Sequence, residues 1–102
     1  MTQPPATLRC DALLPDPPSA VARLLEPALA EVAGEGAVAV SLTLDYADAG
    51  APGEAVVTEA WVERATRSLV FAHARLARRI DGALLAQASA VFRRGMDGTP
   101  GP

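Results

Sequence analysis

The stretch "SLVFAHARLARRIDGALLAQASAVFRR", residues 68–94, decides the fold. Asp81-Gly82 suits a two-residue type I′ hairpin turn, so the segment reads as two antiparallel strands. The second strand runs from Ala83 to about Arg94. Strands favour β-branched and aromatic residues, yet alanine recurs on one face of each strand here. Ala72 and Ala74 share one face, and Ala86, Ala88 and Ala90 share another. A sheet face of small side chains lets a helix lie close, with bulky helix residues filling the space that the sheet leaves.

Upstream there is one segment with the right pattern to be that helix. Val21, Leu24, Leu25, Ala28, Leu29 and Val32 recur at i, i+3, i+4, i+7, i+8 and i+11, one face of a 3.6-residue period. Asp16 is placed to cap it and Pro17 to open it. Gly34 and Gly36 end it. Pro27 falls inside, where it removes a backbone hydrogen bond, so a kink or two short helices meeting at Glu26 is expected.

The remaining chain is strand-like. Residues 6–14 suggest a short strand with Leu8, Cys10 and Ala12 on one face. "AVAVSLTLDY", residues 37–46, alternates, with Val38, Val40, Leu42, Leu44 and Tyr46 on one side and Ser41, Thr43 and Asp45 on the other. From Glu54 to Ile80 the pattern is continuous. One extended strand of that length would exceed any small domain at about 3.3 Å per residue. A turn is therefore expected around Arg64 to Ser68. The order is β-α-β-β-β-β, an α+β domain in which an antiparallel meander holds one helix. Tails are expected at residues 1–5 and 95–102.

Length and composition narrow the function classes. The chain has 102 residues, enough for one domain, and half are apolar while 4% are aromatic. The net charge of −3 excludes a general electrostatic footprint for nucleic acid or an anionic membrane. The single cysteine, Cys10, forms no internal disulfide and reads as a small buried residue. No Cys/His spacing suggests a metal site, and no cofactor motif is present. No apolar run is long enough to span a bilayer, and no secretory signal pattern opens the sequence, so a cytoplasmic location is expected.

The order and spacing from Leu42 to Phe92 resemble a known family. A strand ends in Tyr46, and a loop closes on Gly53. "RATRSLVF" and "DGALLAQASAVF" follow. This run resembles the hotdog fold, and within it the small acyl-CoA thioesterases of the phenylacetate-degradation type. The resemblance covers roughly Ala6 to Arg94. It implies a homodimer or a dimer of dimers, an acyl-CoA-like small-molecule partner, and hydrolysis of its thioester at a site on the dimer interface. "SAVARLLEPALAEVA" is similar to the family's helix, which places Glu26 on its catalytic carboxylate. The family's glycine-rich helix start, which polarises the carbonyl, is replaced here by "PDPPS". Pro17 and Pro18 carry no N–H, so the resemblance moves oxyanion donation to Ser19 or Ala20. The alternative is a non-catalytic hotdog domain that binds an acyl or aromatic thioester, or an assembly module.

Other residues carry weaker signals. Trp61 lies among Glu59 and Glu63 on one strand face, which suits an anchor between dimers or against an acyl chain. Arg64, Arg67, Arg78 and Arg79 suit the phosphates of a CoA-like ligand, Arg64 and Arg67 foremost. His73 faces away from Ala72 and Ala74, and with no second histidine it suggests a surface or interface residue rather than a catalytic dyad.

Overall fold

The computed structural model describes residues 7–18 and 20–94. The tails expected at residues 1–5 and 95–102 lie outside the described residues. The elements are β1 (Leu8–Leu13), α1 (Ala22–Ala33), β2 (Val38–Tyr46), β3 (Ala55–Ala65), β4 (Leu69–Arg78) and β5 (Leu84–Arg93). The strands form one antiparallel sheet in the order β1-β3-β4-β5-β2, with α1 packed on one face. This is the hotdog arrangement. The meander is confined to β3-β4-β5. β2 does not continue it but crosses to pair with β5, so β1 and β2 become the two edges.

The alanine face is where the helix sits. Ala72, Ala74, Ala86, Ala88 and Ala90 are all 4% exposed or less, and Leu25 and Leu29 of α1 are 1% and 0% exposed. Cross-strand pairing brings Ala74 opposite Ala88 and Ala72 opposite Ala90, so the small residues form a continuous floor. Val21 and Ala28 complete the helix contribution, while Leu24 and Val32 lie at its margin.

Several details differ from the sequence reading. The helix does not begin at Asp16 and Pro17. It starts at Ala22 with Val21 as its cap residue, which makes no side-chain cap bond. Asp16 and Pro17 each precede a proline, and that position disfavours helical backbone. The chain instead turns first, with the Ala20 amide donating to the Pro17 carbonyl at 2.9 Å. Pro27 does not divide α1, which runs unbroken over 12 residues. Pro27 and Arg23 both lie on the exposed side, so the carbonyl deprived of its partner is open to water.

The β2 pattern is broken by a bulge between Ala39 and Ser41. Leu42, Leu44 and Tyr46 pair with the inward alanines of β5, whereas Val38 pairs with outward Arg93. The β4–β5 turn is longer than a two-residue hairpin and is closed by Arg78 and Ala83. The Arg78 amide donates to the Ala83 carbonyl at 2.8 Å, and the Gly82 amide to the Arg78 carbonyl at 2.8 Å. Gly82 takes φ +74°, the conformation that glycine permits without strain. Cys10 is exposed rather than buried, because β1 is an edge strand and α1 packs mainly over β3 and β4.

Two stability changes follow. Replacing Ala74 with leucine forces bulk between sheet and helix and should cost about 1–3 kcal/mol. Thr58 is 2% exposed, and its hydroxyl has no partner among the described residues. Thr58→Val keeps the shape without the stranded hydroxyl and should be neutral or stabilising by about 1 kcal/mol. Urea unfolding of both variants against wild type measures each effect.

Candidate active site

Two depressions flank β2, one at each end. The first is a groove of about 210 Å³ between α1 and β2. Leu29 and Ala30 form its helix wall, Ala39 and Leu42 its β2 wall, and Ala90 and Phe92 its floor. Glu26 borders this groove from the second turn of α1. Its position follows from the helix period. Leu25 and Leu29 are locked into the core, so the intervening Glu26 is carried to the flank nearer β2. The carboxylate is exposed and borders apolar walls.

The second depression, about 310 Å³, lies at the start of the helix. Pro18 and Val21 line one side, and Tyr46, Asp48, Gly50 and Leu85 line the other. Its loop is tied down at several points. The amides of Ala47 and Asp48 both donate to the Leu85 carbonyl, at 2.8 and 3.1 Å. The Asp48 carboxylate accepts the Ala49 amide at 2.8 Å. Gly50 is needed for packing: a Cβ there would run into the Leu14 side chain and stand 3.0 Å from Glu54 Oε1.

Glu54 holds this loop to the sheet. Its Oε1 accepts the Ala51 amide at 3.1 Å, and its Oε2 meets Arg78 Nε at 2.6 Å. The Ala51 hydrogen bond, followed by that from Arg78, keeps the Glu54 carboxyl below the usual carboxylate range. Arg78 is raised in turn, chiefly by the Glu54 hydrogen bond. Arg78 also reaches Asp81 at 3.3 Å, and Asp81 is lowered first by the Ala83 amide and then by Arg78. One arginine therefore links the pocket loop to the β4–β5 turn.

The residues singled out from sequence do not all converge. Ser19 lies outside the described residues. Ala20 is half-buried, and its amide is already engaged by the Pro17 carbonyl. Trp61 and Arg64 lie on the sheet face opposite the helix, away from Glu26. The Trp61 ring sits 5.1 Å from the His73 ring, and Arg64 Cζ lies 5.5 Å from the Phe71 centroid. Arg67 is exposed in the β3–β4 turn. His73 Nδ1 is 3.1 Å from Ser89 Oγ and 3.7 Å from Glu63 Oε1. One ring nitrogen faces both groups, whereas a relay would use opposite nitrogens for hydroxyl and carboxylate. Tyr46, Asp48 and Gly50 carry no catalytic motif in the sequence. Their signal was the strand ending in tyrosine and the glycine-bearing loop after it.

Against known families, the thioesterase superfamily profile matches residues 19–84, more than half of the chain. The chain belongs to the thioesterase superfamily. No curated protein sequence matches it. Among solved structures, zebra fish thioesterase superfamily member 2 is 21% identical, with 93% of this chain and 79% of that one covered at a TM-score of 0.80. A point mutant of the phenylacetic acid degradation protein PaaI from Thermus thermophilus is 19% identical, with coverages of 88% and 86% and a TM-score of 0.75. Smu.793 from Streptococcus mutans, solved bound to acetyl CoA, is 9% identical, with coverages of 91% and 84% and a TM-score of 0.73. At these identities the structural matches establish the superfamily fold. No described helix is long and apolar enough to cross a membrane.

The Glu54 contacts give this superfamily member a pH dependence of known sign. The lowered carboxyl contributes stability that is fully present above the unfolded value, near pH 4.5, and is lost as pH falls through the folded value. Glu54→Gln should therefore lower stability at neutral pH and flatten its decline in acid. Thermal unfolding of both proteins across the acid range reads this directly.

Proposed function

We propose that this chain hydrolyses acyl-CoA thioesters, with Glu26 as the catalytic carboxylate, at a site completed by a second copy of the chain. The observation that carries the reading is the place of Glu26: it borders a groove whose other wall is the open edge strand of the sheet. Val38, Val40, Leu42 and Tyr46 on that strand are 41–56% exposed, an unusual apolar load for a free edge. A second copy adding its own β2 in antiparallel register would cover it, and a two-fold interface meets that need with one patch. Antiparallel pairing about the middle of β2 sets the Ala39–Leu42 half of one copy beside the Tyr46 end of the other. The Glu26 groove of one protomer would then adjoin the helix-start pocket of its partner, giving an acyl cavity with a carboxylate at its side.

In that cavity Glu26 takes a proton from water as the water oxygen attacks the thioester carbonyl carbon. The C–S bond then breaks, the acid is released, and the thiolate leaves and is protonated. Direct attack by Glu26, followed by hydrolysis of the anhydride, uses the same geometry. The thioester class is supported by the superfamily match and by the acetyl CoA bound in the smu.793 relative.

A second reading rests on the helix start. Pro17 and Pro18 offer no N–H, and the Ala20 amide is engaged, so none of these three described residues offers a free amide to a carbonyl. That observation favours a domain that binds an acyl thioester without hydrolysing it.

Thiol release from short, long and aromatic acyl-CoAs separates the two. Glu26→Ala and Glu26→Gln should lower kcat/KM by about 10²–10⁴ while the oligomeric state, read by sedimentation, stays that of wild type. Absence of turnover by wild type on every substrate, with acyl-CoA binding retained, would establish the second reading.

A further inference from the structure

The sheet face opposite the helix carries a feature that thioester hydrolysis does not use. All nine basic residues other than His73 are arginines, and four of them, Arg9, Arg75, Arg78 and Arg79, line one depression of about 210 Å³. Only one carboxylate, Glu59, lines it with them. Asp11, Glu54 and Asp81 stand behind the arginines as ion-pair partners, so it is the side chain left without one, Arg75, that sets the depression apart. The floor is apolar: Val57 is 7% exposed, and Ala77 beside it is half-buried.

The arginines come from separate places. Arg9 is on β1, Arg75 and Arg78 are on β4, and Arg79 follows β4. Three of them are oriented by carboxylates: Arg9 by Glu59 at 2.7 Å, Arg78 by Glu54 and Asp81, and Arg79 by Asp11 at 3.3 Å. Arg75 is exposed and has no ion-pair or hydrogen-bond partner among the described residues. The carboxylates relieve repulsion among Arg9, Arg78 and Arg79 and fix their positions, which leaves Arg75 as the uncompensated charge at the depression. The arginines already held by carboxylates lose little side-chain freedom when they engage an anion.

We propose that this depression binds a phosphate group, with Arg75 as its principal anchor and Arg9 and Arg79 closing on it from either side. A carboxylate presents one edge of two oxygens. A terminal phosphate presents three, which donors arriving from different strands can share, and arginine forks match phosphate oxygens two at a time. The depression opens on the face opposite the Glu26 groove, so phosphate binding here does not require an acyl group in that groove. The phosphate can be free or can belong to a nucleotide, and the two sources are distinguishable.

The test is calorimetric titration of the whole chain with inorganic pyrophosphate and, separately, with adenosine 3′,5′-bisphosphate, at low ionic strength. Saturable binding that weakens about tenfold or more in Arg75→Gln, and is unchanged in Arg23→Gln on the exposed side of the helix, is the expected result. Arg75-dependent binding of pyrophosphate alone assigns a free anion, and of the bisphosphate alone a nucleotide. No saturable binding of either probe, or equal binding by Arg75→Gln and wild type, would overturn the site. Because Arg75 is exposed and makes no ion pair among the described residues, its replacement leaves the fold intact, which circular dichroism checks. The readout is binding, so a failure of the hydrolysis assay leaves this result interpretable.

Discussion

The structure depends on how closely one helix can approach one sheet. The centre of the inward face of β4 and β5 is alanine, flanked by Val70, Leu76 and Phe92, and Leu25 and Leu29 of the helix supply the bulk over that centre. Interiors must be filled to crystal-like density, and a core poor in aromatic residues reaches that density only by setting large side chains against small ones. The helix axis is therefore held over β3, β4 and β5, and the rest of the architecture adjusts to it.

One consequence is that the two edge strands lie at the margins of the helix's cover. β1 compensates with polar residues on its outer face, where Arg9 pairs with Glu59 and Asp11 with Arg79. β2 does not compensate in this way. Its apolar residues remain exposed, and its bulge at Val40 turns Val38 away from the helix side. The Glu26 groove exists because the helix stops short of β2, and the helix-start pocket exists because the Tyr46–Gly50 loop folds back over Leu85. Both hollows are by-products of the same close approach, and both adjoin the strand most in need of a partner.

The two faces of the sheet consequently have different chemistry. The helix side is apolar, with a carboxylate at its flank. The opposite side carries the aromatic contacts of Trp61 and Phe71 and the arginine-lined depression. Arg78 joins them indirectly, since its bond to Glu54 also steadies the loop of the helix-start pocket.

Local chemistry alone determined a good deal. The apolar period of residues 21–32, the alternation after Gly36, the turn near Arg67 and the Asp-Gly signal each depend on neighbours in sequence, and each corresponds to an element in the structure. The alanine pattern also announced that a helix would lie against β4 and β5. What sequence could not supply were features set by distant partners. β2 pairs with β5 rather than β3, because pairing is decided by which edge the helix crossover leaves open. Cys10 is exposed because β1 is an edge strand and the helix packs mainly over β3 and β4. The helix begins later than its capping pattern suggested, because consecutive prolines hold the backbone out of the helical region while Val21 is drawn into the core. Glu26 was legible as a flank residue, but its groove and the Tyr46 pocket were not. A hollow is defined by surfaces far apart in the chain, and only the packed fold brings them face to face.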